Sequence, residues 1–139
     1  MIMELYRKYK DEYNEYVLLI KSGNFYLSLN KDAYVMHNIF NYQLKDTGRG
    51  LKVGFPINSI EKIKDKFELI DINYLIIEDG KIVTIKEYEN NQYKNFVNRK
   101  NYGMLYQRID KINETLKKRV DDDIENTLTE IERLLCMID

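Results

Sequence analysis

The 139 residues contain one cysteine, Cys136, one proline, Pro56, and one histidine, His37. A single thiol excludes an internal disulfide and a multi-cysteine zinc site, and it fits a reducing compartment. His37 falls inside a stretch with helical spacing and has no HExxH partner, so its expected role is packing or surface rather than catalysis. Neither sign of charge prevails, with 22 basic against 23 acidic side chains. Such a balance gives no general attraction to nucleic acid or anionic lipid, and binding to either must come from a local patch. Long apolar runs are also missing. The longest stretches, such as residues 17–20 and 74–77, are far too short to cross a bilayer, and the opening residues lack the apolar run of a signal peptide. The expectation is a cytoplasmic protein with no membrane partner.

Catalytic patterns are equally scarce. No Gly-x-x-x-x-Gly-Lys-Ser/Thr is present, and the spacing of Gly48, Gly50 and Gly54 is no nucleotide fingerprint. Asp121, Asp122 and Asp123 lack the twelve-residue ligand ladder of an EF-hand. Cys136 lies in an apolar helical pattern with no base beside it and reads as a packing residue. Carboxylate pairs such as Asp11 with Glu12 are scattered over polar faces. The chain is therefore read as a non-enzyme that needs no cofactor and no metal.

What is present is a 44% hydrophobic fraction, enough for a core. Residues 3–15 predict a charged helix, with Leu5, Tyr9 and Tyr13 on one face. Residues 16–20 and 25–29 predict a strand pair around a Ser22-Gly23-Asn24 turn. A helix follows to about Phe40, with Asn30 or Asp32 as its cap. Residues 42–45 and 51–55 read as short strands around a polar turn, and residues 59–67 as a helix capped by Ser59. Asp79-Gly80 between residues 72–78 and 81–88 is a strong signal for a tight type I′ hairpin. Residues 89–101 are polar and Asn-rich and read as a linker or a loosely packed helix.

The organisation expected is an α/β domain of the α+β type over residues 1–90, with a mixed sheet flanked by helices. A linker over 91–102 and an amphipathic helical tail over 103–139 follow. The tail carries apolar residues at helical spacing from Leu105 to Ile138. As one helix it would reach about 50 Å at about 1.5 Å per residue, more than a domain of this size covers, which implies a homodimer through 103–139. A break at Asp121–Asp123, with Asp123 as N-cap, would allow a helical hairpin instead.

Three stretches together resemble one family. Residues 21–34, KSGNFYLSLNKDAY, are similar to a Gly-Asp-Phe-Tyr-Glu-Leu-Phe…Asp-Ala pattern. Residues 42–50, YQLKDTGRG, are similar to its short strand and basic turn, and residues 53–67, VGFPINSIEKIKDKF, to its Gly-Ile-Pro strand and helix. The family is the N-terminal mismatch-recognition domain of the mismatch-repair protein MutS, and the likeness spans roughly residues 5–88. The resemblance implies duplex DNA as a partner, with Phe25 at the position of the ring that stacks on a mispaired base. It implies no catalysis by this domain. The glutamate that accompanies that ring in the family is replaced by Leu27, which cannot hydrogen-bond to a base, so the expectation is recognition of distorted duplex with reduced base specificity. Lys45, Arg49 and Lys52 are the expected phosphate contacts, with Lys21 nearby. Alternation along the strand places Phe25, Leu27 and Leu29 on one face, and the alternative is a protein-interaction module using that face and the C-terminal helix.

Overall fold

The computed structural model describes residues 2–97 and 103–138. Helix α1 (Ile2–Lys10) leads into the hairpin of β1 (Val17–Ser22) and β2 (Phe25–Leu29), followed by α2 (Asn30–Phe40), β3 (Lys45–Asp46) and β4 (Leu51–Pro56). A 3-10 turn (Ile57–Ser59) then precedes α3 (Ile60–Ile70), β5 (Tyr74–Glu78) and β6 (Lys81–Lys86), and α4 (Tyr93–Val97) closes this unit. The six strands form one mixed sheet in the order β3-β4-β2-β1-β5-β6, so the fold is the α+β arrangement expected. Central strand β1 runs antiparallel to β2 and parallel to β5, with Val17 opposite Tyr74.

Burial on both faces explains why β1 and β5 read as continuous apolar runs rather than alternating ones. On one face Leu18, Ile20, Leu29, Leu75 and Ile77 cluster beneath Tyr6 of α1, and Leu5, Tyr9 and Tyr13 pack against them. Helix α1 stops at Lys10 rather than at residue 15, but the chain that follows keeps Tyr13 and Tyr16 edge-to-face at 5.2 Å. On the other face a chain of ring contacts runs from Tyr26 through Phe55, Tyr42, Phe40 and Phe67 to Tyr74. It ties β2, β4, α2, α3 and β5 together through offset and edge-on packing.

The hairpin prediction at Asp79-Gly80 holds: both residues have positive φ, 52° and 75°, as a type I′ turn requires. The cap assignments come out differently. Ser59 makes no side-chain cap bond. Asp32 is not a cap but a buried ion-pair partner, 0% exposed. Its carboxylate accepts from Lys10 Nζ at 2.7 Å, from Tyr93 Oη at 2.5 Å and from Leu18 N at 3.1 Å. Burial drives the Asp32 carboxyl upward and the Lys10 ammonium downward in pKa, and their mutual attraction opposes both shifts. This knot joins α1, β1, α2 and α4. Through it, part of the Asn-rich stretch after β6 is bound to the sheet domain: Tyr93 is buried, and Asn38 Nδ2 donates to Phe96 O at 2.6 Å. The rest of the expected linker, 98–102, lies outside the described residues.

Residues Leu105–Asp139 separate as a second unit. Helices α5 (Gly103–Lys118) and α6 (Asp122–Cys136) are interrupted at residues 119–121. The N-cap of α6 is Asp121, not Asp123: its backbone is extended and its carboxylate accepts from Ile124 N at 3.0 Å. None of the described side chains in this unit is buried; Leu105, Ile109, Ile112, Leu128 and Leu135 are exposed.

Candidate nucleic-acid interface

Phe25 is the first residue of β2, directly after the tight turn in which Gly23 takes a φ of 61°. Gly at that first turn position is what a two-residue hairpin loop of the II′ kind favours. The ring therefore sits at the rim of the sheet, 49% exposed. Exposure falls along the strand. Leu27 is half-buried, and Leu29 is 5% exposed within the cluster under α1. The expected continuous Phe25/Leu27/Leu29 surface is thus corrected. Helix α1 covers the Leu29 end, and only the Phe25 end remains open, with Leu27 as its floor.

That open end is a cavity of about 430 Å³ lined by Ser22, Phe25, Leu27, Tyr42, Gln43, Lys45, Lys52 and Gly54. Gly54 stands opposite Leu27 across the β2–β4 ladder, and a Cβ there would come to 3.2 Å from Leu27 Cδ2. The missing side chain leaves the space above Leu27 open. Tyr42 is fixed by stacking on Phe40 and Phe55, so one wall of the cavity is an extension of the core.

Lys45 and Lys52, on the rim, are directly opposite each other in the β3–β4 pair. Like charges facing across a ladder are unfavourable, and among the described residues neither lysine, nor Arg49, takes part in an ion pair. Asp46, which interrupts the basic series in sequence, turns its carboxylate into its own loop, where Oδ1 accepts from Gly48 N at 2.9 Å. Lys21 is different: it pairs with Glu78 at 3.3 Å. The structure thus brings Phe25, Lys45 and Lys52 around one cavity and places Arg49 in the adjoining turn, whereas Lys21 is engaged elsewhere.

The turn carrying Arg49 is anchored from the opposite side of β4. Asn30, with a φ of 52°, accepts from Leu51 N through Oδ1 at 3.2 Å. Gly50 adopts a φ of 149°, and a Cβ on it would lie 2.3 Å from that same Oδ1. Gly50→Ala is expected to push the amide away, break the anchor and destabilise the domain by about 1–3 kcal/mol through the unpaired Leu51 N–H. The urea midpoint measures this, and an unchanged midpoint would show that the anchor is dispensable.

Among the described residues no group of His, Cys, Asp and Glu is arranged to hold a metal ion, and no helix is long and apolar enough to cross a membrane. The lone histidine is used structurally, with Nδ1 2.8 Å from Tyr42 O. Sequence comparison agrees with the architecture. The profile of the family described as MutS domain I matches residues 1–105. The DNA mismatch repair protein MutS of two Ehrlichia ruminantium strains, Gardel and Welgevonden, is 31% identical to the chain over 98 residues. The same identity and length hold for that of Ehrlichia chaffeensis strain Arkansas. These alignments cover 70% of this chain and 12% of each relative. The chain belongs to the MutS domain I family.

Proposed function

We propose that the chain is a non-catalytic module that binds distorted or mismatched duplex DNA by inserting Phe25 at a weakened base step. Lys45, Arg49 and Lys52 contact the flanking phosphates. The observation that carries this reading is the half-exposed Phe25 ring beside a lysine pair that has no carboxylate partner among the described residues. An apolar ring wedged between bases recovers part of the unstacking cost, and a mismatch or a flexible step lowers that cost. Leu27 forms the floor beside the ring and offers no hydrogen bond, so selectivity would rest on how readily the duplex kinks rather than on which bases are paired. The relatives named for mismatch repair support the substrate class, and the coverage of only 12% of their length leaves their other activities outside this proposal.

Phe25→Ala tests the reading. Stacking on one base is worth about 1–3 kcal/mol, so affinity for a mismatched or pre-kinked duplex should fall by roughly 5- to 150-fold in an electrophoretic titration at low salt. Binding to perfect duplex should change much less, and the unfolding midpoint should stay close to that of the parent because the ring is half in water. Equal losses on both duplexes, or no duplex binding by the parent protein, would refute the wedge.

A further inference from the structure

The helical unit carries an order that neither the sheet domain nor its DNA reading uses. In α5 the apolar residues Leu105, Ile109, Ile112 and Leu116 follow a four-three-four spacing, and in α6 Ile124, Leu128, Ile131 and Leu135 repeat it. That spacing reads the same in both directions. Val120, in the break between the helices, lies midway: Leu116 and Ile124 are equidistant from it, and so are Leu105 and Leu135. Val120 is itself 82% exposed. The charges have the opposite symmetry. Helix α5 contains four basic and two acidic side chains, and α6 one basic and five acidic.

We propose that residues 105–138 are the interface of an antiparallel homodimer in which α5 of each copy packs on α6 of the other, with the two-fold axis passing near Val120. Alternating spacings of three and four residues define a coiled-coil seam, and because this seam is symmetric about its centre it puts apolar layer against apolar layer when the second copy runs the other way and is centred on the same residue. A parallel pair would also align the layers, but it would set basic α5 on basic α5 and acidic α6 on acidic α6. The antiparallel pair sets basic on acidic at both ends and opposes the helix dipoles favourably. It is also an isologous contact, which closes at two copies. The occupant is a second copy rather than the same chain folded back, because within one chain Leu105, Ile109, Ile112, Leu128 and Leu135 stay exposed and Leu116, Ile124 and Ile131 are only half-buried. This inference is independent of DNA binding.

Cross-linking separates the possibilities. On a two-fold axis near Val120, a Val120→Cys substitution in a Cys136→Ser background places two thiols within disulfide reach. The parent Cys136 lies near the far end of α6, so in an antiparallel pair the two copies of it are tens of ångströms apart at about 1.5 Å of rise per residue. The expected results are a dimer mass for the full chain by light scattering, a covalent dimer from Val120→Cys with oxidised glutathione, and none from the parent protein. A monomeric mass at the highest soluble concentration would mean that the helices fold back as a hairpin and would overturn the proposal. Efficient cross-linking through Cys136 would mean a parallel pair, and a dimer cross-linked through neither position would mean a different interface; each overturns it. Loss of duplex binding by Phe25→Ala, with the dimer intact, bears on the DNA reading alone.

Discussion

Asp32→Ala should lower the stability of the sheet domain by about 3–5 kcal/mol, the range for removing one member of a buried ion pair. The carboxylate is fully buried, and its loss orphans three donors at once: the Lys10 ammonium, the Tyr93 hydroxyl and the Leu18 amide. The cost comes chiefly from what is left behind rather than from the attraction removed. Adding Lys10→Met to Asp32→Ala should therefore recover part of the loss, because no uncompensated charge then remains, although Leu18 N–H and Tyr93 Oη still lack their acceptor. Urea unfolding of the two single variants and the double variant gives the coupling between them. Strictly additive losses would show that the two side chains do not act as a pair.

Lys45→Glu should produce two effects of opposite sign. Against Lys52 it converts a like-charge cross-strand pair into an attractive one, which should raise stability by about 0.2–1 kcal/mol, while removing a phosphate contact and adding a repulsive charge. Adding Lys52→Glu restores a like-charge pair, so stability should return toward that of the parent, while duplex binding disappears. With both lysines replaced by alanine, the slope of log affinity against log salt should become shallower by about 1.8, from about 0.9 for each phosphate contact. An unchanged slope would remove Lys45 and Lys52 from the interface. A gain in stability with a loss of binding would fit a surface held for a polyanion rather than for folding.

What the sequence made legible depended on how local the determining physics was. The β5–β6 hairpin was readable because Asp79-Gly80 encodes its own backbone geometry, and both residues take the positive φ that this implies. Phe25 could be placed because the turn and strand around it lie within a few residues. Asp32 was misread as a helix cap because its partners are distant in sequence: Lys10 precedes it by a whole hairpin and Tyr93 follows it across most of the sheet. Strand alternation placed Leu29 on the face of Phe25 and Leu27 but could not say what covers that face, and the cover at Leu29 comes from α1, at the other end of the hairpin in sequence. The tail had three candidate capping aspartates in a row, and only backbone conformation selects Asp121, whose extended φ and ψ aim the carboxylate at Ile124 N. The symmetry about Val120 was present in the spacing throughout, but it has meaning only once the break between α5 and α6 is located.

The parallel pairing of β1 with β5 bears on how the chain emerges during synthesis. Four consecutive residues of β1, beginning at Val17, are apolar and buried, and their neighbours on one side are Tyr74 to Ile77. At about 5–20 residues per second of translation, several seconds pass between the appearance of β1 and that of the strand that covers its second edge. In that interval only β2 can pair with it, and the open edge presents an unbonded row of amides and carbonyls flanked by valine, leucine and isoleucine. Non-local pairing of this kind is slow and prone to aggregation. A chain ending before Tyr74 should therefore collect with chaperones or in inclusion bodies, and release from a stalled ribosome should yield soluble protein only once β5 has cleared the exit tunnel.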